Sequence, residues 1–214
     1  MESNLTHVPS GTLQPSGTDA TQPVVWDAAS VRMSFFTAPI TNKWPSGEPL
    51  SLFAVYCLIR QGRYMDVTRR LRLIADHDEQ RRFKGLYLDY FTPSGVFSYC
   101  NDQSLLRHSQ VLCMDLDDLG GRVEELFLLL QDDPYFDTLL LFRSPTGCGL
   151  KWLVHIDLAR CDHRTWFAAV RNYLMAAYHL TERQVDPQCA NPSRACYLCH
   201  DEEAYLKTEL IEIF

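Results

Sequence analysis

Short apolar runs, separated by polar or turn-forming segments, follow one another most regularly in the second half of the chain. Runs of β-branched and aromatic residues indicate strands, whereas apolar residues spaced three and four apart indicate a helix. The predicted elements, in chain order, are strand Val111–Leu116, a helix from about Arg122 to Gln131, strand Thr138–Arg143, strand Leu150–Ile156, helix His163–Leu180, strand Ala195–Cys199 and a further candidate strand, Glu209–Phe214.

This order, β-α-β-β-α-β, is the split βαβ arrangement. It predicts an α+β fold with a ferredoxin/RRM-like core over about residues 105–214. In such a core the four strands lie in the order 4-1-3-2, with right-handed crossovers. Because alternate side chains of a strand point to opposite faces, the apolar set can pack on the two helices. We therefore expect the other face of the sheet to be open.

The first half of the chain predicts a smaller α+β unit. Leu50–Gln61 and Tyr64–Arg82 carry apolar residues at helical spacing, which predicts two helices. Leu86–Phe91 and Val96–Tyr99 flank the turn-forming segment Thr92–Gly95, which predicts two strands joined by a tight turn. We expect this unit to pack against the core.

The domain organisation follows from these elements and from composition. Residues 1–24 are rich in Ser, Thr, Pro, Gly and Gln without periodicity, which predicts a disordered tail. Residues 25–104 form the N-terminal unit and residues 105–214 the core. We expect the two to make one domain, since 214 residues suffice for one sizeable domain.

Composition and charge narrow the class of protein. The 46% hydrophobic and 22% charged content is ordinary for a soluble globular protein. The apolar runs are far shorter than the roughly 20 residues of a membrane helix, and no leader pattern opens the chain. The eight scattered cysteines are typical of reduced thiols in the cytoplasm. The net charge of −7 argues against non-specific coating of nucleic acid, which needs a basic surface.

The candidate chemistry converges on one edge of the predicted sheet. The first strand ends at Asp115 and Asp117, which share a face because they alternate with apolar residues. Asp186 and Arg194 lie in the segment that leads into the fourth strand. The third strand begins after a turn and carries Lys151. The polar turn before it contributes Ser144, Thr146, Gly147 and Gly149.

These residue types suit a phosphate ligand and divalent metal. Mg²⁺ and Mn²⁺ prefer oxygen ligands such as Asp115 and Asp117, with Asp186 completing a pair of ions. Two such ions, about 3.5–4 Å apart, stabilise the attacking and leaving oxygens of a phosphoryl displacement. Backbone N–H groups of a glycine-bearing turn bind anions. Lys151 and Arg194 would neutralise the charge of a triphosphate.

At these residues the chain resembles the archaeo-eukaryotic primase superfamily. It looks most like the VirE N-terminal domain family of mobile-element proteins, which precedes ATPase regions. The resemblance covers about residues 31–214. Its matching stretches are VLCMDLDDL, LLLFRSPTGCGLKWLVHI and VDPQCANPSRACYLCHDEEAYL, with weaker agreement in FKGLYLDYFTPSGVF.

The resemblance implies specific roles. Asp115 and Asp117 match the paired metal-binding aspartates, and Asp186 matches the third acidic motif. Ser144 and Gly147 match the small-residue turn that meets nucleotide phosphates. The implied activity is template-directed nucleotidyl transfer from a nucleoside triphosphate, with a single-stranded nucleic acid template, in DNA replication of mobile elements.

The chain also departs from the wider superfamily. Lys151 stands where most members carry histidine, although the narrower family resembles this chain there. A lysine can pair with phosphate but cannot act as a neutral imidazole, so nucleotide binding is better supported than polymerase activity. The chain contains no G-x-x-x-x-G-K-[ST] loop, so an ATPase or helicase partner would lie outside these residues.

Two other function classes compete with this interpretation. One is a catalytically silent nucleotide- or nucleic-acid-binding module of the same fold, which the acidic charge and Lys151 both permit. The other is a haloacid-dehalogenase-type phosphatase, because VLCMDLDDL also resembles the first motif of those enzymes. The phosphatase needs a parallel sheet and a later acidic pair at another strand end, and the pattern predicts neither.

Two further features are better explained without a function. The basic run between Arg69 and Lys84 could meet a template, but acidic residues interrupt it as on a solvated helix face. A second feature is a cluster with C-x6-C-x2-C-H spacing, which is not a standard zinc finger. Its members are Cys189, Cys196, Cys199 and His200. We predict no stoichiometric zinc, to be checked by metal analysis of the purified protein.

Overall fold

The structure is a computed structural model that describes residues 27–207. The predicted tail over residues 1–24 and the candidate strand Glu209–Phe214 lie outside the described residues. The helices are α1 (Leu52–Arg60), α2 (Met65–Arg72), α3 (His77–Tyr87), α4 (Val123–Gln131) and α5 (His163–Ala177). The strands are β1 (Ser34–Phe36), β2 (Tyr90–Thr92), β3 (Gly95–Phe97), β4 (Leu105–His108), β5 (Val111–Leu116), β6 (Thr138–Arg143), β7 (Leu150–His155), β8 (Cys196–Tyr197) and β9 (Tyr205–Leu206).

The α+β fold class is confirmed, and the central elements lie where the sequence pattern places them. The order β5-α4-β6-β7-α5 reproduces the first five predicted elements of the core. Asp162 begins α5, because its carboxylate accepts a hydrogen bond from Thr165 N at 2.7 Å. Among residues 27–207, no helix is both long enough and apolar enough to cross a membrane.

The central sheet has the strand order β5-β7-β6-β9 and is antiparallel throughout. The predicted order 4-1-3-2 is therefore correct for its 1-3-2 part and wrong for strand four. The segment Ala195–Cys199 forms the short β8, which pairs with β2 in a separate sheet of order β1-β2-β8. A bridge between Leu116 and Val185 occupies the position beside β5 instead.

Both faces of the central sheet are covered, so the predicted open face is wrong. On one face, α4 and α5 pack on Met114, Leu116 and Trp152 in a first buried cluster. On the other face, Leu153 and Phe142 belong to a second buried cluster. That cluster also contains residues of α1, β2, β8 and β9, and Phe35 of β1 packs against it. Elements α1, β1, β2 and β8 therefore cover the face of the sheet that carries Asp115.

Three predictions for the N-terminal unit are also wrong. The helix predicted over Tyr64–Arg82 is two helices, because the Asp76 carboxylate accepts from Glu79 N at 2.8 Å and starts α3 anew. Helix α3 continues to Tyr87, so the strand predicted from Leu86 begins only at Tyr90. Strands β2 and β3 do not pair with each other, since β2 pairs with β1 and β3 pairs with β4.

Candidate functional site

Asp115 and Asp117 lie at the end of β5, where the sheet meets the surface. Asp115 is directly opposite Lys151 of β7 in the antiparallel register. Its side chain faces the covered side of the sheet, and the residue is only 7% exposed. Asp117 follows the last residue of β5 and is exposed. The two carboxylates therefore lie in different environments, although the sequence pattern gives them the same face.

Asp186 reaches this edge because its segment runs beside the end of β5. Asp117 N donates to Gln184 O at 2.9 Å, and Asp186 N donates to Asp115 O at 3.0 Å. Between these bonds the Leu116–Val185 bridge places Val185 in the first buried cluster. The burial of Val185 thus holds the next residue, Asp186, beside Asp115 and Asp117.

The turn between β6 and β7 closes the same edge. Ser144 N donates to Gly149 O, and Gly147 N donates to Ser144 O, both at 2.8 Å. The hydroxyl groups of Ser144 and Thr146 are 3.2 Å apart. Gly147 has a φ of +79°, which favours glycine. Gly149 packs directly against the carbonyl group of Leu116, so that a Cβ there would overlap its oxygen.

We predict that Gly149→Ala destabilises the protein by about 2–4 kcal/mol, because the added methyl group must displace the backbone of β5. Gly121→Ala is the matched control, since nothing lies within 4 Å of a Cβ at that position. Urea unfolding of both variants measures the difference. Equal midpoints for the two variants would show that the turn and β5 are not packed this closely.

The polar side chains of these segments line one cavity of about 440 Å³. Seven predicted site residues line it: Asp115, Asp117, Ser144, Thr146, Lys151, Asp186 and Arg194. Gly147 and Gly149 shape the adjoining turn without lining the cavity. Helix α3 adds Arg81 and Lys84, and the C-terminal segment adds Gln188 and Tyr197.

Lys151 and Asp115 form a buried ion pair at the base of this cavity. Burial alone would lower the pKa of Lys151, but the Asp115 carboxylate and further acidic neighbours raise it well above its ordinary value. The ammonium group is therefore charged and paired with Asp115. The second oxygen of that carboxylate, Oδ1, is buried and has no hydrogen-bond partner among the described residues.

Asp117 differs from its neighbours in having no partner of its own. Its carboxylate makes no hydrogen bond or ion pair with the residues that the structure describes. Partial desolvation in the cavity, and then the charge of Asp115, raise the pKa of Asp117. Across the cavity, desolvation and then Lys151 lower the pKa of Lys84. In both cases desolvation is the larger cause of the shift, and a nearby like charge adds to it.

Asp186 is held by a second ion pair. Its Oδ2 accepts from Arg194 at 2.5 Å, and its Oδ1 accepts from Gln188 N at 2.9 Å. Burial opposes the charge of Arg194, but Asp186 and other acidic neighbours raise its pKa. Asp186 therefore has less free capacity for a further ligand than Asp117 has.

The carboxylates suit one divalent ion better than two. Asp115 Oδ1 and the Asp117 carboxylate are oxygen donors without protein partners, and their mutual repulsion would be relieved by a cation. Within residues 27–207, however, no group of three or more His, Cys, Asp or Glu side chains is arranged to hold a metal ion. Asp186 would have to leave Arg194 before it could join a second site.

The cysteines of the C-x6-C-x2-C-H cluster lie in the buried core, with Cys189 in the first buried cluster and Cys196 and Cys199 in the second. Cys189, Cys196 and Cys199 are buried. Cys199 Sγ contacts Arg143 O at 3.3 Å, whereas His200 Nδ1 faces Ile59 O at 3.2 Å. These two side chains therefore face different backbone groups.

Comparison with known proteins identifies the family. The family model described as BT4734-like, N-terminal domain matches residues 84–206, more than half of the chain. The chain belongs to the BT4734-like N-terminal domain family. No curated protein and no solved structure matches significantly. The matched region runs from the last turns of α3 to β9, and it includes every site residue predicted from the sequence.

The cavity of this BT4734-like domain contains two cations, Arg81 and Lys84, from the basic run that was predicted to lie on a solvated helix face. Arg81 and Lys84 are three residues apart and therefore lie on the same side of α3, facing the cavity. Their neighbour Arg82 lies on the other side of the helix, where it lines a separate surface depression. The three-residue spacing of Arg81 and Lys84 could have indicated that both lie on one side of a helix. Because α3 and β5 are far apart in the sequence, the spacing could not show that this side faces the aspartates.

Proposed function

We propose that this BT4734-like domain is primase-polymerase-like and binds a nucleoside triphosphate with Mg²⁺ or Mn²⁺ for template-directed nucleotidyl transfer. One observation carries the proposal: a single cavity combines three carboxylates with four cationic side chains. Carboxylates suit divalent metal, and cations suit the phosphates that accompany it. The family's link to primase-polymerase-like proteins agrees with this chemistry.

Asp115 Oδ1 and Asp117 would hold the ion. When bound, a divalent cation neutralises phosphate charge and makes a hydroxyl nucleophile easier to deprotonate. Lys151 forms an ion pair with Asp115 and fixes the position of its carboxylate, so we assign Lys151 a positioning role. It therefore differs from the direct phosphate ligand expected from the sequence.

Arg81, Lys84 and Arg194 would hold the triphosphate. Lys84 forms no ion pair with the described residues, and desolvation, followed by repulsion from Lys151, lowers its pKa. An anion bound in the cavity would relieve the repulsion between these cations. The hydroxyl groups of Ser144 and Thr146 lie on the cavity wall and can donate to phosphate oxygens. Positioning and charge stabilisation of this kind supply most of the rate in phosphoryl chemistry.

A catalytically silent nucleotide-binding module is the second candidate. The observation that favours it is the pairing of Asp115 with Lys151 and of Asp186 with Arg194, which leaves one carboxylate without a partner. The phosphatase alternative needs a parallel sheet. The central sheet of the described residues is antiparallel throughout, which is incompatible with this alternative.

The proposed function implies a nucleic acid partner. A single-stranded template is the expected partner of such a site. The net charge of −7 predicts weak, salt-sensitive template binding by this domain alone. We propose that an ATPase or helicase region, in the same chain or as a separate protein, strengthens that contact during mobile-element replication in the cytoplasm.

A matched pair of variants on α3 tests the nucleotide site. Arg81→Ala should weaken ATP binding by about tenfold in the presence of Mn²⁺, because it removes a cation from the cavity. Arg82→Ala removes the same charge one residue later but outside the cavity, and should change affinity by less than about twofold. Calorimetric titration measures both. Equal losses, or none, would place the nucleotide elsewhere.

A further inference from the structure

A second cavity of about 230 Å³ adjoins the first and shares part of its wall. Four residues line both cavities: Gln188, Arg194, Ala195 and Tyr197. The second cavity is completed by Ile40, Lys43, Cys100, Asn191 and Ser193. Residues far apart in the sequence therefore form a two-chambered site, with Arg194 and Tyr197 between the chambers.

The two chambers differ in chemistry. The first contains all three acidic side chains of the site and most of its cations. The second contains no carboxylate, and its lining is mostly neutral and polar, with Ile40 as an apolar contact. Neutral hydrogen-bonding groups beside an apolar surface suit an uncharged, partly apolar group better than a phosphate.

Hydrogen-bonding capacity in the shared wall is unused. The hydroxyl group of Tyr197 and the Nε2 atom of Gln188 make no hydrogen bond within residues 27–207. The Lys43 ammonium group lies 5.7 Å from the centre of the Tyr90 ring and forms no ion pair with the described residues. These donors remain available to a ligand in the second chamber.

The walls of the second chamber are fixed to one another. Cys100 N donates to Lys43 O at 2.9 Å, and Cys100 Sγ contacts Ser193 O at 3.5 Å. Ser193 donates from its hydroxyl group to Asp102 Oδ1 at 2.6 Å. Arg194 N donates to Asn191 O at 2.9 Å. Three separate chain segments are thus held in one arrangement, which reduces the entropy cost of binding.

We propose that this second chamber binds the nucleoside part of the nucleotide, its sugar and base, while the triphosphate lies in the first. The inference rests on the proposed function, because a nucleoside is placed here by the phosphates next to it. Tyr197 and Gln188 lie at the junction and would hydrogen-bond the sugar. Asn191, Ser193 and Lys43 offer polar groups to the base.

Titration of the wild-type protein with tripolyphosphate and with ATP, each with Mg²⁺, separates the chambers. Tripolyphosphate tests the first chamber alone. ATP should bind at least about tenfold more tightly than tripolyphosphate, because it adds contacts in the second chamber. Tripolyphosphate binding without any gain for ATP would overturn the nucleoside chamber and leave the proposed function standing. Failure of both ligands to bind would overturn both.

Two substitutions of Cys100, which lines only the second chamber, test whether the extra affinity for ATP arises there. Cys100→Leu should fill the chamber and reduce the preference for ATP to about twofold or less, with tripolyphosphate affinity unchanged. Cys100→Ser keeps the size and the contact to Ser193 O, and should retain the preference. Tyr197→Phe provides an independent test, with an expected loss of about fivefold for ATP. Unchanged preference in Cys100→Leu and Tyr197→Phe would overturn the proposal.

Discussion

Replacement of Asp115 by asparagine is expected to lower the free energy of unfolding by about 3–5 kcal/mol. The sequence alone suggests the opposite, because a carboxylate on an open face could be neutralised without harm. In the structure Asp115 is 7% exposed and paired with Lys151, which is 6% exposed. Neutralising Asp115 leaves the lysine charge buried without its partner, and burial then disfavours that charge.

Two controls separate this effect from a general loss of structure. Asp115→Asn combined with Lys151→Met should recover most of the lost stability, because it removes the unpaired charge and keeps a side chain of similar volume. Asp117→Asn should change stability by no more than about 0.5 kcal/mol, since Asp117 is exposed. Urea unfolding followed by circular dichroism measures all three. A wild-type midpoint in Asp115→Asn would contradict the buried ion pair.

Asp117→Asn is expected to reduce metal-dependent nucleotidyl transfer by at least about a hundredfold while the protein stays folded. Within the described residues, Asp117 is the carboxylate of the cavity that has no partner, so its loss should remove a proposed metal ligand and leave the packing unchanged. Because Asp115 is paired with Lys151, Asp117 supplies the unpaired negative charge next to it. Manganese titration of the folded variant should show a matching loss of affinity.

The raised pKa of Asp117 adds a pH dependence to this prediction. A carboxylate must be ionised to bind the metal, so protons compete with Mn²⁺ as the pH falls. Because the pKa is above its ordinary value, wild-type Mn²⁺ affinity should begin to fall at a higher pH than an ordinary aspartate would give. In Asp117→Asn the remaining weak Mn²⁺ binding should no longer show this early fall in affinity as the pH is lowered.

The sequence predicted local structure well where one segment determined it. Val111–Leu116 and Thr138–Arg143 are strands with the predicted bounds, because each is a compact apolar run between polar or turn residues. The sequence pattern predicted less directly that Asp186 lies close to Asp115. It depends on the bridge between Leu116 and Val185, a long-range pairing that no local pattern encodes.

The burial of Asp115 could not be predicted for the same reason. The residues that cover its face come from segments far apart in the chain, as in the pairing of Phe91 with Cys196. Alternation along β5 shows which side chains share a face, but not what covers that face. The place of Lys84 in the cavity likewise depends on how α3 docks beside β5.

Incorporation of a labelled nucleotide tests the central claim most directly. The assay contains Mn²⁺, a single-stranded template and nucleotides at low salt, since the acidic charge of the chain weakens template binding. We expect the wild-type protein to extend or start a strand, and Asp117→Asn to do so at least about a hundredfold more slowly. A wild-type protein that binds ATP and Mn²⁺ but incorporates nothing, alone or within a longer natural chain, would contradict the proposed polymerase chemistry and favour the silent nucleotide-binding module.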